Sequence, residues 1–260
     1  MREFFGFGGY QRPAEGYMSW QHLTFVTALT AAMVILAVLL GKRNAGLEER
    51  IKNKALIAAA FLIDGLELFK IILLCFRSKN AMHWLNDLPL FLCSIQLITI
   101  PLAAFSKGRL REAALDFVCI FGIIGAILGT YAAGNNYSAY PVLSFDNVVS
   151  GLTHCISGFC SLYIMFSGLA SMKKKNIWLT TVILLCFCVA AYIANIFTNA
   201  NYMFLLRGDG TPYDILFDLV GGDPVVYPIC VVVLFFVYIC IFYSVFFLVK
   251  KRKKAPAKVS

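Results

Sequence analysis

Leu88-Pro89-Leu90-Phe91-Leu92-Cys93 opens the third of seven apolar blocks, and counting that block as a crossing decides the fold. From Leu88 to Phe105 it holds no Asp, Glu, Lys or Arg. A helix needs only about 20 such residues to span a bilayer. Backbone groups in lipid must also be satisfied within the segment itself, which favours a helix. With this block included, the candidate spans are Trp20–Gly41, Lys54–Phe76, Asn86–Phe105, Ala113–Ala133, Phe145–Ala170, Asn176–Ala200 and Pro224–Val249. The expected class is an all-α polytopic membrane protein with seven transmembrane helices over residues 20–249. Residues 1–19 form an outer interfacial segment and 250–260 a basic cytoplasmic tail.

Composition agrees with that class. The 260 residues are 60% hydrophobic and 14% charged, too apolar for a soluble domain. Seven spans put the connections after the first, third and fifth on the same side as the tail, and that side carries 17 of the 23 Lys and Arg residues. The other side has Arg2, Arg12, Arg77, Lys79 and Arg207, and Lys70 falls inside the second span. This asymmetry places the N-terminus outside and the C-terminus in the cytoplasm, and a bacterial plasma membrane is the expected location. The net charge of +9 is thereby explained by orientation, and no nucleic-acid partner is expected. None of the nine cysteines makes a paired CxxC set, so neither a disulfide framework nor a zinc site is expected, and no other cofactor.

Ionisable and polar residues inside spans are costly unless they face one another or a hydrated cavity. In span two Asp64, Glu67 and Lys70 qualify, Glu67 and Lys70 being able to pair at i, i+3. Span three has Asn86-Asp87 as an expected N-cap and Pro89 in its first turn, with Cys93 and Gln96 on the Pro89 face. Span four brings Gly122, Gly125 and Gly129, small residues suited to tight helix packing. His154 lies about nine residues into span five, at a depth like that of Cys93. Span six ends in Asn195 and Asn199, with Asn201 and Tyr202 just beyond.

A thiol and an imidazole in one layer form the minimal nucleophile and base for acyl transfer. A free thiol ionises near ~8.5 and burial raises that value, so Cys93 needs a neighbour such as His154. Asn195, Asn199, Asn201 or Tyr202 could donate to a developing oxyanion or hold polar parts of the substrate. His22, Glu67 and Gln96 complete the expected pocket. Membrane phospholipids or lysophospholipids would be the substrates. The same layer also suits a seven-span protein that binds or transports a ligand without covalent chemistry. Cys155 is a competing nucleophile by proximity to His154.

These motifs resemble the signature of the YwaF-type family of bacterial integral membrane proteins, related to a eukaryotic transmembrane acyltransferase that builds polyunsaturated ether phospholipids. The resemblance rests on His22, Leu88-Pro89-Leu90 before Leu92-Cys93, His154, and Asn199-Ala200-Asn201-Tyr202-Met203-Phe204-Leu205. It implies that Cys93 accepts an acyl chain from a donor phospholipid as a thioester, with His154 as base, and passes it to a lysolipid hydroxyl. Androgen-induced-type membrane hydrolases resemble the same core more distantly, and there water would be the acceptor. The chain departs from many bacterial members at Phe91, where they carry His.

Overall fold

The computed structural model describes residues 2–170, 172–198 and 200–254, with side chains described through residue 251. Every regular element among the described residues is helical, and the chain divides into two compact units, Met1–Ala170 and Ser171–Ser260.

In the first unit the helices are α1 (Trp20–Asn44), α2 (Glu49–Ser78), α3 (Gln96–Phe105), α4 (Gly108–Tyr131), α5 (Gly134–Ala139) and α6 (Phe145–Ser167), with a 3₁₀ turn at His83–Asn86. Local chemistry sets their limits. Ser19 and Ser144 cap α1 and α6, their hydroxyls accepting from the amides of His22 and Asn147 at 3.2 and 3.3 Å. Gly168, at φ 74°, ends α6 by donating to the carbonyls of Ile164 and Met165.

Helix α4 is the centre of this unit, since Ala113 through Gly122 are buried on every side. It packs on α3 and α6, while α6 also packs on α1 and α2. Small residues allow these close crossings. Ser161 donates to the Cys119 carbonyl at 2.6 Å, and a Cβ on Gly122 would stand 2.7 Å from the Ser157 carbonyl.

Polar latches close the unit at both ends. At one, Asn53 of α2 donates to the Ala104 carbonyl at 2.8 Å, and Arg111 of α4 bonds Asn53 and the Ala103 carbonyl at 3.1 Å each and contacts Glu49. There Asn44 of α1 also donates to the Tyr163 hydroxyl, which donates to the Lys52 carbonyl, both at 2.9 Å. At the other end, Arg77 of α2 grips Asp146 of α6 through two bonds of 2.7 and 2.9 Å. Onto that pair the N-terminal segment is strapped. The Tyr10 hydroxyl donates to Asp146, the Phe145 amide donates to the Phe4 carbonyl at 2.9 Å, and Glu15 accepts from the Val142 amide at 2.7 Å. Burial and the neighbouring Asp146 push the Tyr10 phenol up to about 12, so it serves as a neutral donor.

The second unit holds α7 (Asn176–Thr198), a 3₁₀ turn at Tyr202–Phe204, α8 (Tyr213–Leu219) and α9 (Val226–Lys254). Thr180 of α7 and Tyr243 of α9 share a buried hydrogen bond of 3.3 Å.

Among the described residues five helices, α1, α4, α6, α7 and α9, are long and apolar enough to cross a membrane. The other two expected spans differ. Helix α2 has the length, 30 residues, but carries Asp64, Glu67 and Lys70 midway. The third block is helical only over Gln96–Phe105. Asn86 ends a 3₁₀ turn, Asp87 follows it, and neither caps a helix at Pro89. Pro89 has no amide hydrogen to offer a helix and biases Leu88 away from the helical region. The chain winds into a turn only where the Ile95 amide reaches the Phe91 carbonyl at 2.9 Å, so Cys93 precedes α3 instead of lying within it.

The Arg77–Asp146 grip is expected to stabilise the first unit. Asp146→Asn and Arg77→Met should each lower the apparent melting temperature in detergent. The double variant should lose less than the sum, for a coupling on the order of 1 kcal/mol.

Candidate active site

The irregular segment 87–95 passes beside α2 and α6, and a cavity of about 70 Å³ lies among them, lined by Ile63, Glu67, Lys70, Cys93, Ser94, Leu97, Ser150, Thr153 and His154. Cys93 and His154 both line this cavity.

The imidazole is aligned by its own helix. Its Nδ1–H donates to the Ser150 carbonyl, one turn back, at 2.7 Å. A carbonyl only accepts, so Nδ1 carries the proton and Nε2 of the neutral ring keeps its lone pair. A thiol and an imidazole on one cavity wall, the imidazole oriented by a backbone carbonyl, is the set of groups that nucleophile-and-base chemistry draws on.

Helix α4 supplies the wall behind the pair. A Cβ on Gly129 would fall inside the His154 ring, whereas one on Gly125 would make ordinary contacts of 3.5 Å with Cα and Cβ of Cys93. Gly129 is therefore the space the imidazole occupies. Its spacing with Gly122 and Gly125 signals helix packing, and nothing in sequence separates that from making room for a ring. Ser94, next to Cys93 on the cavity wall, and Ser150 were likewise not singled out by sequence, because serines in an apolar block carry no pattern.

Of the other expected site residues, Glu67 lines the cavity paired with Lys70. Lys70 also stands 3.8 Å from Asp87. Gln96 is fully buried, accepts from the Thr99 hydroxyl at 3.1 Å, and is not among the lining residues. His22 lies elsewhere, beneath the N-terminal strap. Its Nε2–H donates to the Thr130 carbonyl at 3.1 Å, its Nδ1 accepts from the Met18 amide at 3.2 Å, and its ring lies 4.0 Å from that of Tyr137. Both nitrogens are thus committed to structure. Cys155 packs against Met33 and Ala126, away from the cavity, as a helix neighbour of His154 should.

The asparagines of the second unit brace their own loop. Asn195 bonds the Tyr202 backbone twice, donating to its carbonyl at 3.1 Å and accepting from its amide at 2.6 Å. Asn201 donates to the Arg207 carbonyl and to Asp209, both at 2.7 Å, and accepts from the Leu206 amide at 2.9 Å. Tyr202 is fully buried, and the loop holds Met203 and Phe204 in the left-handed region at φ 56°. Such backbone is costly for these side chains and persists where surrounding bonds over-determine it. Asn199 lies outside the described residues.

The family model described as the TMEM164 family matches residues 17–251. No curated protein and no solved structure matches the chain.

Reactivity of Cys93 tests this geometry without any lipid. His154→Ala is expected to slow its alkylation by a small haloacetamide at neutral pH about tenfold, because the thiolate fraction falls when the base is removed. Gly129→Ala should do the same by displacing the ring, and Gly125→Ala should leave the rate within about twofold of the wild type. Equal rates for Gly129→Ala and Gly125→Ala would show that Gly129 does not position the imidazole.

Proposed function

The chain belongs to the TMEM164 family and is a multi-pass membrane protein, and on that premise we propose that it is a lipid acyltransferase working through a thioester on Cys93. The observation that carries this reading is the placement of Cys93 and His154 on one cavity, with the Ser150 carbonyl holding the imidazole.

In the first half-reaction His154 Nε2 takes the Cys93 proton as Sγ attacks the ester carbonyl of a membrane phospholipid. The tetrahedral intermediate collapses by breaking the bond to the glycerol oxygen, which leaves with the proton from His154 as a lysolipid. The acyl group remains on Sγ. In the second half, a lysolipid hydroxyl gives its proton to His154 and attacks the thioester, and the released thiolate recovers that proton. Ser94, on the cavity wall beside the sulfur, supports the developing oxyanion through its hydroxyl. The Asn195 and Asn201 amides, committed to their own loop, support a scaffold role.

Two further readings complete the proposal. Charge asymmetry favours seven crossings with the N-terminus outside, α2 and the 86–105 segment completing the five apolar helices. A larger polar space adjoining the cavity admits water, which makes hydrolysis of the thioester the competing outcome.

Intact-protein mass spectrometry after incubation with phospholipid tests the reaction. Wild type is expected to gain a hydroxylamine-sensitive acyl mass, Cys93→Ala to gain none, and His154→Ala to gain it at least about tenfold more slowly. If no adduct forms across a broad lipid panel while Cys93 still alkylates normally, the site is a ligand pocket and not a transferase.

A further inference from the structure

Beside the catalytic cavity, towards the end of the unit closed by Arg77 and Asp146, lies a second space of about 370 Å³ whose lining includes Lys70, His83, Asn86, Asp87 and Ser150. Lys70 and Ser150 line both spaces, so the two adjoin. The inner cavity, at about 70 Å³, has room for a reacting ester and little else. The remainder of any lipid substrate must lie beyond its walls, and on this side those walls are charged.

The ion pairs there differ in tightness. Arg77 is fully engaged by the two oxygens of Asp146. Lys70 and His83 instead share the single carboxylate of Asp87, each at 3.8 Å, the edge of ion-pair range. Lys70 is also paired tightly with Glu67, which leaves part of its ammonium free, so Lys70 and His83 can each turn to a further oxygen by giving up only the long contact to Asp87. In a glycerophospholipid, only a glycerol carbon and two oxygens separate the carbon bearing the central ester from the phosphorus on one side and the acyl carbonyl on the other, a spacing that matches two chambers sharing a wall.

We infer that this outer chamber is the headgroup subsite, in which Lys70 and His83 hold the phosphate of a glycerophospholipid while its ester lies against Cys93. The inference rests on the acyl-transfer reading of the inner cavity. Asp87 has a counteracting role: its carboxylate restrains both donors and competes with the phosphate for them. His83 was not singled out in sequence, since it stands outside every apolar block, on the 3₁₀ turn between α2 and α3.

Binding of a short-chain, ether-linked dialkyl glycerophosphocholine to the full chain in detergent, followed by calorimetry, tests the assignment, because this probe carries the phosphate but no ester. His83→Ala is expected to weaken binding about tenfold, the loss of one charge-assisted hydrogen bond. Asp87→Asn should tighten it severalfold by releasing the two donors, a gain that misfolding cannot produce. The corresponding dialkylglycerol, which lacks phosphate, should show neither shift. Unchanged binding in His83→Ala, or weakened binding in Asp87→Asn, overturns the subsite. So does inorganic phosphate that binds as tightly as the lipid probe with the same sensitivity to both substitutions, which marks a free-anion site. The two readings fail separately. A thioester on wild type with no effect of His83→Ala on probe binding sinks the subsite alone, whereas the expected binding shifts without any thioester sink the transfer reaction and leave a phospholipid-binding chamber.

Discussion

The close approach of α4 to α6 is the constraint on which the first unit depends. In hydrocarbon no hydrophobic force draws helices together, so contact area and hydrogen bonds must do it, and both need small residues at the crossing. Gly122 admits the Ser157 backbone, Ser161 bonds across to the Cys119 carbonyl, and Gly158 receives Met33 of α1. Along this seam, about two turns beyond Gly122, Gly129 leaves a gap that the His154 ring fills. Packing and chemistry are therefore one stripe of residues, and the stripe cannot drift to better packing without moving the base.

That coincidence explains which parts of the molecule were legible in the sequence. Long uninterrupted apolar runs announced α1, α4, α6, α7 and α9, because length and hydropathy alone define a crossing helix. The pairing of Glu67 with Lys70 followed from helical spacing. In the third block the helix begins later than expected, at Gln96, since apolar composition is shared by a helix and by a turn lining a cavity. Pro89 carried the missing signal, but a proline in the first turn of a helix and a proline that delays one look the same in sequence.

Within the candidate site, residue type was more legible than role. A thiol and an imidazole stand out in an apolar block, so Cys93 and His154 were visible at once. His22 stood out equally, yet both its nitrogens are spent on Thr130 and Met18, which only coordinates reveal. The asparagines after α7 were read as possible donors to a substrate. Their spacing instead suits a loop that must hold Met203 and Phe204 at positive φ. Amides that brace strained backbone and amides that bind ligand are drawn from the same residue types at the same helix ends, and nothing local distinguishes them.

The N-terminal strap carries a consequence for biosynthesis. Tyr10 meets Asp146 across 136 residues of chain, and the Phe4 carbonyl meets the amide of Phe145. When the strap leaves the ribosome its partners have not been made, and α1 must enter the bilayer while those aromatic rings have nothing to pack on. Docking waits until the start of α6 has been synthesised, so this end of the unit closes late in assembly. The aromatic residues of the strap suit the interval, because their rings can rest at the depth of the lipid headgroups until the helices that will hold them arrive.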